Sequence, residues 1–150
     1  SAFANADLKE LEQDIKSTGF YHNKAKNIIE CSKRILSDFG GEVPDNMEDL
    51  LSLAGVGRKI ANLLIGDVFG GEAIVCDTHC IRICGRLGMY KEGMKDPLKT
   101  ERIMSELIEP EEQSDFCHRA VQFGRDFCTS RAPKCSECPL ADICPYAKAE

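Results

Sequence analysis

The sequence predicts an all-α fold. Apolar residues recur three and four apart along almost the whole chain, which is the spacing of one helix face. Strand-like alternation is nearly absent. Glycine, proline, aspartate and asparagine fall at the ends of the periodic runs, where helices start and stop.

The elements follow in order. Residues 7 to 17 carry Leu8, Leu11 and Ile15 at helical spacing, and Gly19 stops that helix. Asn23 is the expected cap of the next, with Ala25, Ile28, Ile29, Ile35, Leu36 and Phe39 on its apolar side and Gly40-Gly41 at its end. Pro44-Asp45 is expected to open a short helix with Met47, Leu50, Leu51 and Leu53. Gly55-Val56-Gly57 breaks it, and a new helix runs to about Phe69, ended by Gly70-Gly71. Asp77 stands where a cap belongs for a helix from Thr78 to about Leu87. Asp96-Pro97 starts another, with Leu98, Ile103, Leu107 and Ile108, which Pro110 ends. A last helix is expected from about Gln113 to Cys128. Beyond it, Pro133, Pro139 and Pro145 alternate with cysteines and read as a compact ligand loop. Ala73 to Cys76 is the one β-prone stretch.

A chain of 150 residues makes one ordinary domain or two small lobes. The expected division is a helical lobe over 1–110 and a last helix with the cysteine loop over 111–150. At 43% hydrophobic and 29% charged, the composition excludes long disorder and collagen-like architecture. The longest apolar run, around Ile60 to Ile65, is interrupted by Asn62 and too short to span a bilayer. With no charged-then-apolar leader, the expected place is the cytoplasm. The first residue is Ser1, so the expectation is a chain trimmed, processed or cut from something longer. The net charge of −6 argues against a bulk, sequence-blind grip on nucleic acid, but it leaves room for a local basic patch. Glu106, Glu109, Glu111, Glu112 and Asp115 read as a solvated acidic face.

Nine cysteines with no leader do not read as a disulfide framework. Cys128, Cys135, Cys138 and Cys144 give C-x6-C-x2-C-x5-C, four thiolates in one loop, which suits a soft metal centre. Zinc sites more often use two C-x2-C knuckles, and only one is present, so spacing alone places iron–sulfur ahead of zinc without excluding it. Cys76, Cys80 and Cys84 recur every fourth residue and read as core, together with Cys31 and Cys117.

Leu53-Ala54-Gly55-Val56-Gly57-Arg58-Lys59 lies between two predicted helices. Paired glycines let a backbone turn tightly and approach another molecule, and the helix start that follows suits a phosphate. A plain helix–helix corner reads equally well. Alone, Lys59 is a solvated lysine and Asp77 a helix cap.

Taken in order, L-x-G-V-G-R-K, then V-x-D-T-H-x-x-R, then C-x6-C-x2-C-x5-C resemble the endonuclease III family, the helix–hairpin–helix DNA glycosylases of base excision repair. The resemblance runs from about residue 8 to the end. It implies a helical bundle with a C-terminal iron–sulfur loop. Gly55, Val56 and Gly57, with Arg58 beside them, match the hairpin that holds the DNA backbone. Lys59 matches the nucleophilic lysine, and Asp77 the family's catalytic aspartate. The four loop cysteines match the ligands of a [4Fe-4S] cluster. Phe20 aligns with an apolar residue that wedges into the stack opposite the damaged base; an aromatic packed between helices is the plainer reading.

The implied activity is removal of oxidised pyrimidines by a bifunctional DNA glycosylase and abasic-site lyase. A damaged base must leave the duplex before its glycosidic bond is reached. A lysine amine then attacks the sugar C1′ to give a Schiff base, and β-elimination nicks the strand. Burial and the charge of Arg58 would favour the free amine at Lys59. The implied partner is double-stranded DNA with a damaged base or abasic site, in a bacterial or archaeal nucleoid, and no membrane. Ala54 replaces the proline usual before the first hairpin glycine, and Phe123 stands where a histidine is common. Family members have helices before the point where this chain begins. Helices without those partners would expose an apolar face, so self-association is expected. The alternatives are a truncated, catalytically impaired DNA-binding remnant and a zinc-bound structural protein.

Overall fold

The computed structural model describes residues 1–149, and its described residues form helices and turns with no strand. By their contacts they fall into two compact units, Ser1–Ala61 and the residues from Asn62 onward.

In the first unit, α1 (Leu8–Asp14) starts where the Asp7 carboxylate accepts the N–H groups of Lys9 and Glu10, at 2.9 and 3.0 Å. Helix α2 spans Tyr21–Asp38. Asn23 therefore lies inside it and is not its cap. The chain enters through Gly19 and Phe20, both at positive φ, without a side-chain cap. At the far end the Gly41 N–H returns to the Ile35 carbonyl at 2.9 Å, with Gly40 at φ 64. Helix α3 (Met47–Ser52) starts later than Pro44-Asp45 because Asn46 is the better cap. Its oxygen accepts the Asp49 N–H at 3.0 Å, and its amide donates to the Asp49 carboxylate at 2.7 Å. Leu11, Ala25 and Ile29 form the core between α1 and α2, with Ala6, Ile15 and Ile28 against them. Arg34 donates to the Ser52 carbonyl at 2.8 Å and so ties α2 to the end of α3. Helix α4 (Arg58–Asp67) begins in this unit.

In the second unit, Ala73 to Cys76 is extended but pairs with no strand. Its polar groups are met otherwise: buried Asn62 donates to the Ile74 carbonyl at 2.9 Å, and the Val75 N–H donates to the Cys117 sulfur at 3.2 Å. Helix α5 (Thr78–Arg86) is capped by Asp77, whose carboxylate accepts the Cys80 N–H at 2.7 Å. Helix α6 (Pro97–Leu107) has Asp96 as cap and ends before Pro110, which opens a short 3-10 turn instead. Helix α7 (Gln113–Asp126) packs on α5 and stops two residues short of Cys128, which leaves that thiol in the loop. A final short helix, α8 (Pro145–Ala149), was not expected among the loop prolines. Proline suits a first helical position, where its missing N–H costs nothing.

Four of the five cysteines expected in the core are there: Cys76, Cys80, Cys84 and Cys117, with Ile74 and Met104. Hydrogen bonds to Cys117, Cys76 and Cys84, together with burial, push the Cys80 thiol up. The same bond from Cys80 pulls Cys117 down. Cys31 is the exception. It is half-buried on α2 and lines a surface groove, and burial pushes its thiol up.

Candidate functional site

The first unit carries the hairpin. The Val56 N–H closes on the Leu53 carbonyl at 3.1 Å. Gly55 sits at φ 78, and a Cβ there would stand 2.9 Å from the Asn27 Cβ, so the turn lies hard against α2. Gly57 is different: a Cβ there would meet nothing within 4 Å. Its carbonyl accepts from Ile60 and Ala61 at 2.9 and 3.0 Å, which makes it the cap of α4. One glycine is needed by the fold and the other faces open space. The first amides of a helix have no acceptor within it, and its start is electropositive. Arg58 and Lys59 occupy that start and both are exposed. Lys59 is therefore not buried as its chemistry suggested, because the first turn of α4 carries it outward.

Phe20 is 88% exposed, which overturns the reading of a packed aromatic. Among the described residues it is the only one other than glycine at positive φ. A bulky residue held in the left-handed region costs on the order of 1–3 kcal/mol, and such strain gathers at functional sites. An apolar ring presented to solvent on strained backbone fits a wedge.

In the second unit Asp77 is half-buried. One of its oxygens is used by the α5 cap, which holds the carboxylate still.

All four loop cysteines line one small cavity, with Arg86, Phe127 and Tyr146 among its other walls. Among the described residues no three His, Cys, Asp or Glu side chains gather closely enough to hold a single metal ion. Four thiols around one cavity are the donor set that a thiolate-bound cluster takes.

Arg86 strengthens that fit. It is only 8% exposed. It donates to the Cys128 sulfur at 3.3 Å and to the Thr129 carbonyl at 2.8 Å, and it lies 4.3 Å from the centre of the Tyr146 ring. Burial opposes its charge, but the Cys128 sulfur, with Tyr146 and Glu92, together outweighs that, and the guanidinium is held more firmly protonated. A buried cation of this kind needs an anion, and a thiolate-bound cluster supplies one. One turn earlier, Arg82 donates twice to the Cys128 carbonyl, at 3.1 and 2.9 Å. Sequence reasoning placed neither arginine at the loop. The available signal was two arginines four apart on a helix otherwise lined with cysteines.

A family model described as HhH-GPD superfamily base excision DNA repair protein matches residues 1–110, and one described as iron-sulfur binding domain of endonuclease III matches residues 128–144. Endonuclease III of Bacillus subtilis is 46% identical over 139 residues, which is 91% of this chain and 62% of that protein. The chain thus spans less than two thirds of that relative. A solved non-covalent endonuclease III–DNA complex is similar at a TM-score of 0.93 and 39% identity, over 98% of this chain and 68% of that one. A trapped covalent endonuclease III–DNA intermediate is similar at a TM-score of 0.92 and 39% identity, over the same shares.

Proposed function

The chain belongs to the HhH-GPD superfamily of base excision DNA repair proteins, and we propose that it acts there as a bifunctional DNA glycosylase and abasic-site lyase on oxidised pyrimidines in double-stranded DNA. The observation that carries this is Lys59, an amine exposed on the first turn of α4, directly behind a glycine hairpin with one open glycine.

The residues take these roles. Gly55 and Gly57 present backbone amides to a phosphate, Val56 closes the hairpin between them through its bond to Leu53, and Arg58 adds charge beside it. Phe20 enters the base stack when the damaged nucleotide leaves it. The free amine of Lys59 attacks the sugar C1′; the glycosidic bond breaks, and the base departs with its electron pair and takes up a proton. The C1′–O4′ bond then opens as the amine gives up a proton and O4′ takes one, and the resulting protonated Schiff base makes a C2′ proton acidic. Loss of that proton expels the 3′ phosphate, and water then releases the lysine. Asp77, rigid in its cap, stabilises the cationic sugar with its second oxygen. Cys128, Cys135, Cys138 and Cys144 hold a [4Fe-4S] cluster, which when bound cross-links a loop with little helix of its own. No helix of the described residues is long and apolar enough to cross a membrane. The proposed place of action is a bacterial or archaeal nucleoid. The comparisons do not favour the alternative of a catalytically impaired binding remnant.

Borohydride trapping on a duplex with one abasic site tests this. Borohydride reduces a Schiff base to a permanent crosslink. The expected result is a crosslink with the wild-type chain that is lost in Lys59→Ala. A crosslink that survives Lys59→Ala assigns the chemistry to another amine. No crosslink from a chain with its cluster intact points to the binding remnant.

A further inference from the structure

We infer that Lys24 is a positioning residue that holds the strained turn displaying Phe20 and so sets how well the wedge enters the base stack. The inference rests on the reading of Phe20 as a wedge. The Phe20 ring is 88% exposed, so packing does not hold its backbone at φ 50. Strained conformations persist only where their surroundings over-determine them. Here the restraints converge on one residue. The Lys24 N–H donates to the Phe20 carbonyl at 3.1 Å. Its ammonium reaches back across the turn to the Thr18 carbonyl at 2.8 Å. Lys24 thus clasps Thr18-Gly19-Phe20 from both sides.

The other nearby bonds do less. The Thr18 hydroxyl reaches the Gly19 carbonyl only at 3.5 Å. The His22–Glu12 pair, at 2.9 Å, ties the start of α2 to α1 without touching the turn. Gly19 has no side chain in the way of the ammonium, and a Cβ there would meet nothing within 4 Å. Lys24 also lines a groove of about 320 Å³ with Asn27, Gly55 and Val56. It therefore borders both features assigned to DNA. A direct phosphate contact is the competing role, and the two separate experimentally.

The full chain with its cluster is compared with Lys24→Met, Lys24→Arg and Phe20→Ala. Hydrogen exchange in the free protein reads the turn. A duplex with 2-aminopurine next to a tetrahydrofuran abasic analogue reads wedge insertion as a rise in fluorescence. Lys24→Met is expected to speed exchange over residues 18–22 by roughly tenfold. It should also cut the fluorescence rise towards that of Phe20→Ala, with an unchanged thermal midpoint. Lys24→Arg restores both, because it supplies a donor of similar reach. Unchanged exchange in Lys24→Met overturns the inference. So does a salt slope of binding reduced by about one with exchange unchanged, which makes Lys24 a phosphate contact. If Phe20→Ala keeps the full fluorescence rise, the wedge reading itself fails. If Phe20→Ala loses it and Lys24→Met does not, the wedge stands and the role of Lys24 falls.

Discussion

The guanidinium of Arg86 donates to the sulfur of Cys128 across 3.3 Å. The Cys144 sulfur in turn lies 3.4 Å from the Arg86 carbonyl. A single residue near the end of α5 thus touches two thiols of a loop more than forty positions away. A hydrogen bond to a charged group contributes about 1.5–3 kcal/mol, more where a buried partner would be left alone. Arg86→Met is therefore expected to release iron to a chelator tenfold faster or more, followed by the visible absorbance of the cluster. Arg86→Lys keeps the charge but not the fork, and should fall between. Iron release at the wild-type rate in both variants would remove Arg86 as the counter-charge.

The two hairpin glycines are expected to part company. Gly55→Ala places a side chain at φ 78 and within 2.9 Å of the Asn27 Cβ. It should lower stability by about 1–3 kcal/mol in urea unfolding, with DNA affinity falling alongside. Gly57→Ala meets no atom. Its unfolding should stay within about 1 kcal/mol of wild type, the range for a cap change. If the hairpin grips a phosphate at Gly57, binding weakens there without instability. Equal unfolding of the two variants would contradict this geometry.

A surface strap gives a pH dependence with a definite sign. His118 meets the Asp67 carboxylate at 2.9 and 3.0 Å, and the Ser114 hydroxyl donates to the same carboxylate at 2.6 Å. Asp67 raises the His118 pKa, and Cys117 and Asp115 push it the same way. The Ser114 bond first, then His118, lowers Asp67. The histidine's share of stability is complete below its unfolded pKa of about 6.5 and fades as pH rises through the raised folded value. The carboxylate's share is complete above about 3.9 and fades only as pH falls further. The strap is thus strongest between about 4 and about 6.5. Both side chains reach solvent, so the effect is at most about 0.5 kcal/mol. His118→Gln should cost more stability near pH 5.5 than near pH 8.5 at low salt, by roughly this amount. A cost that grows with pH would reverse the assignment.

Local rules made much of this molecule legible. Asp77 and Asp96 cap the helices they precede because a carboxylate before an apolar run has few better uses. Gly40-Gly41 ends α2 because glycine adopts positive φ freely. The same rules misplaced the start of α2. Asn23 looks like a cap, but the helix begins at Tyr21 on a strained phenylalanine, which no propensity favours. The exposure of Lys59 was hidden for another reason, since it depends on where the first turn of α4 faces. Arg86 was hidden because its partner is distant in sequence and its role appears only once α5 lies beside the loop.

Gly124 on α7 leads to the last prediction. A Cβ there would collide with His79 Nδ1, stand 2.9 Å from Arg82 Nη2 and reach 3.0 Å from Ile83 Cδ1. All three neighbours are on α5, so glycine is what lets the two helices approach this closely. Arg82 cannot simply swing away, because its Nη2 also donates to the Cys128 carbonyl at 2.9 Å. Gly124→Ala therefore has two costs. Overpacking should lower unfolding stability by about 1–3 kcal/mol. Displacing Arg82 should loosen the loop at Cys128 and speed iron loss. Adding Arg82→Ala relieves the second-nearest contact while removing the tie to the loop. The double variant should recover part of the stability lost in Gly124→Ala but none of the cluster retention. Recovery of both would mean that packing alone governs the loop and that the bond from Arg82 to Cys128 does not hold it.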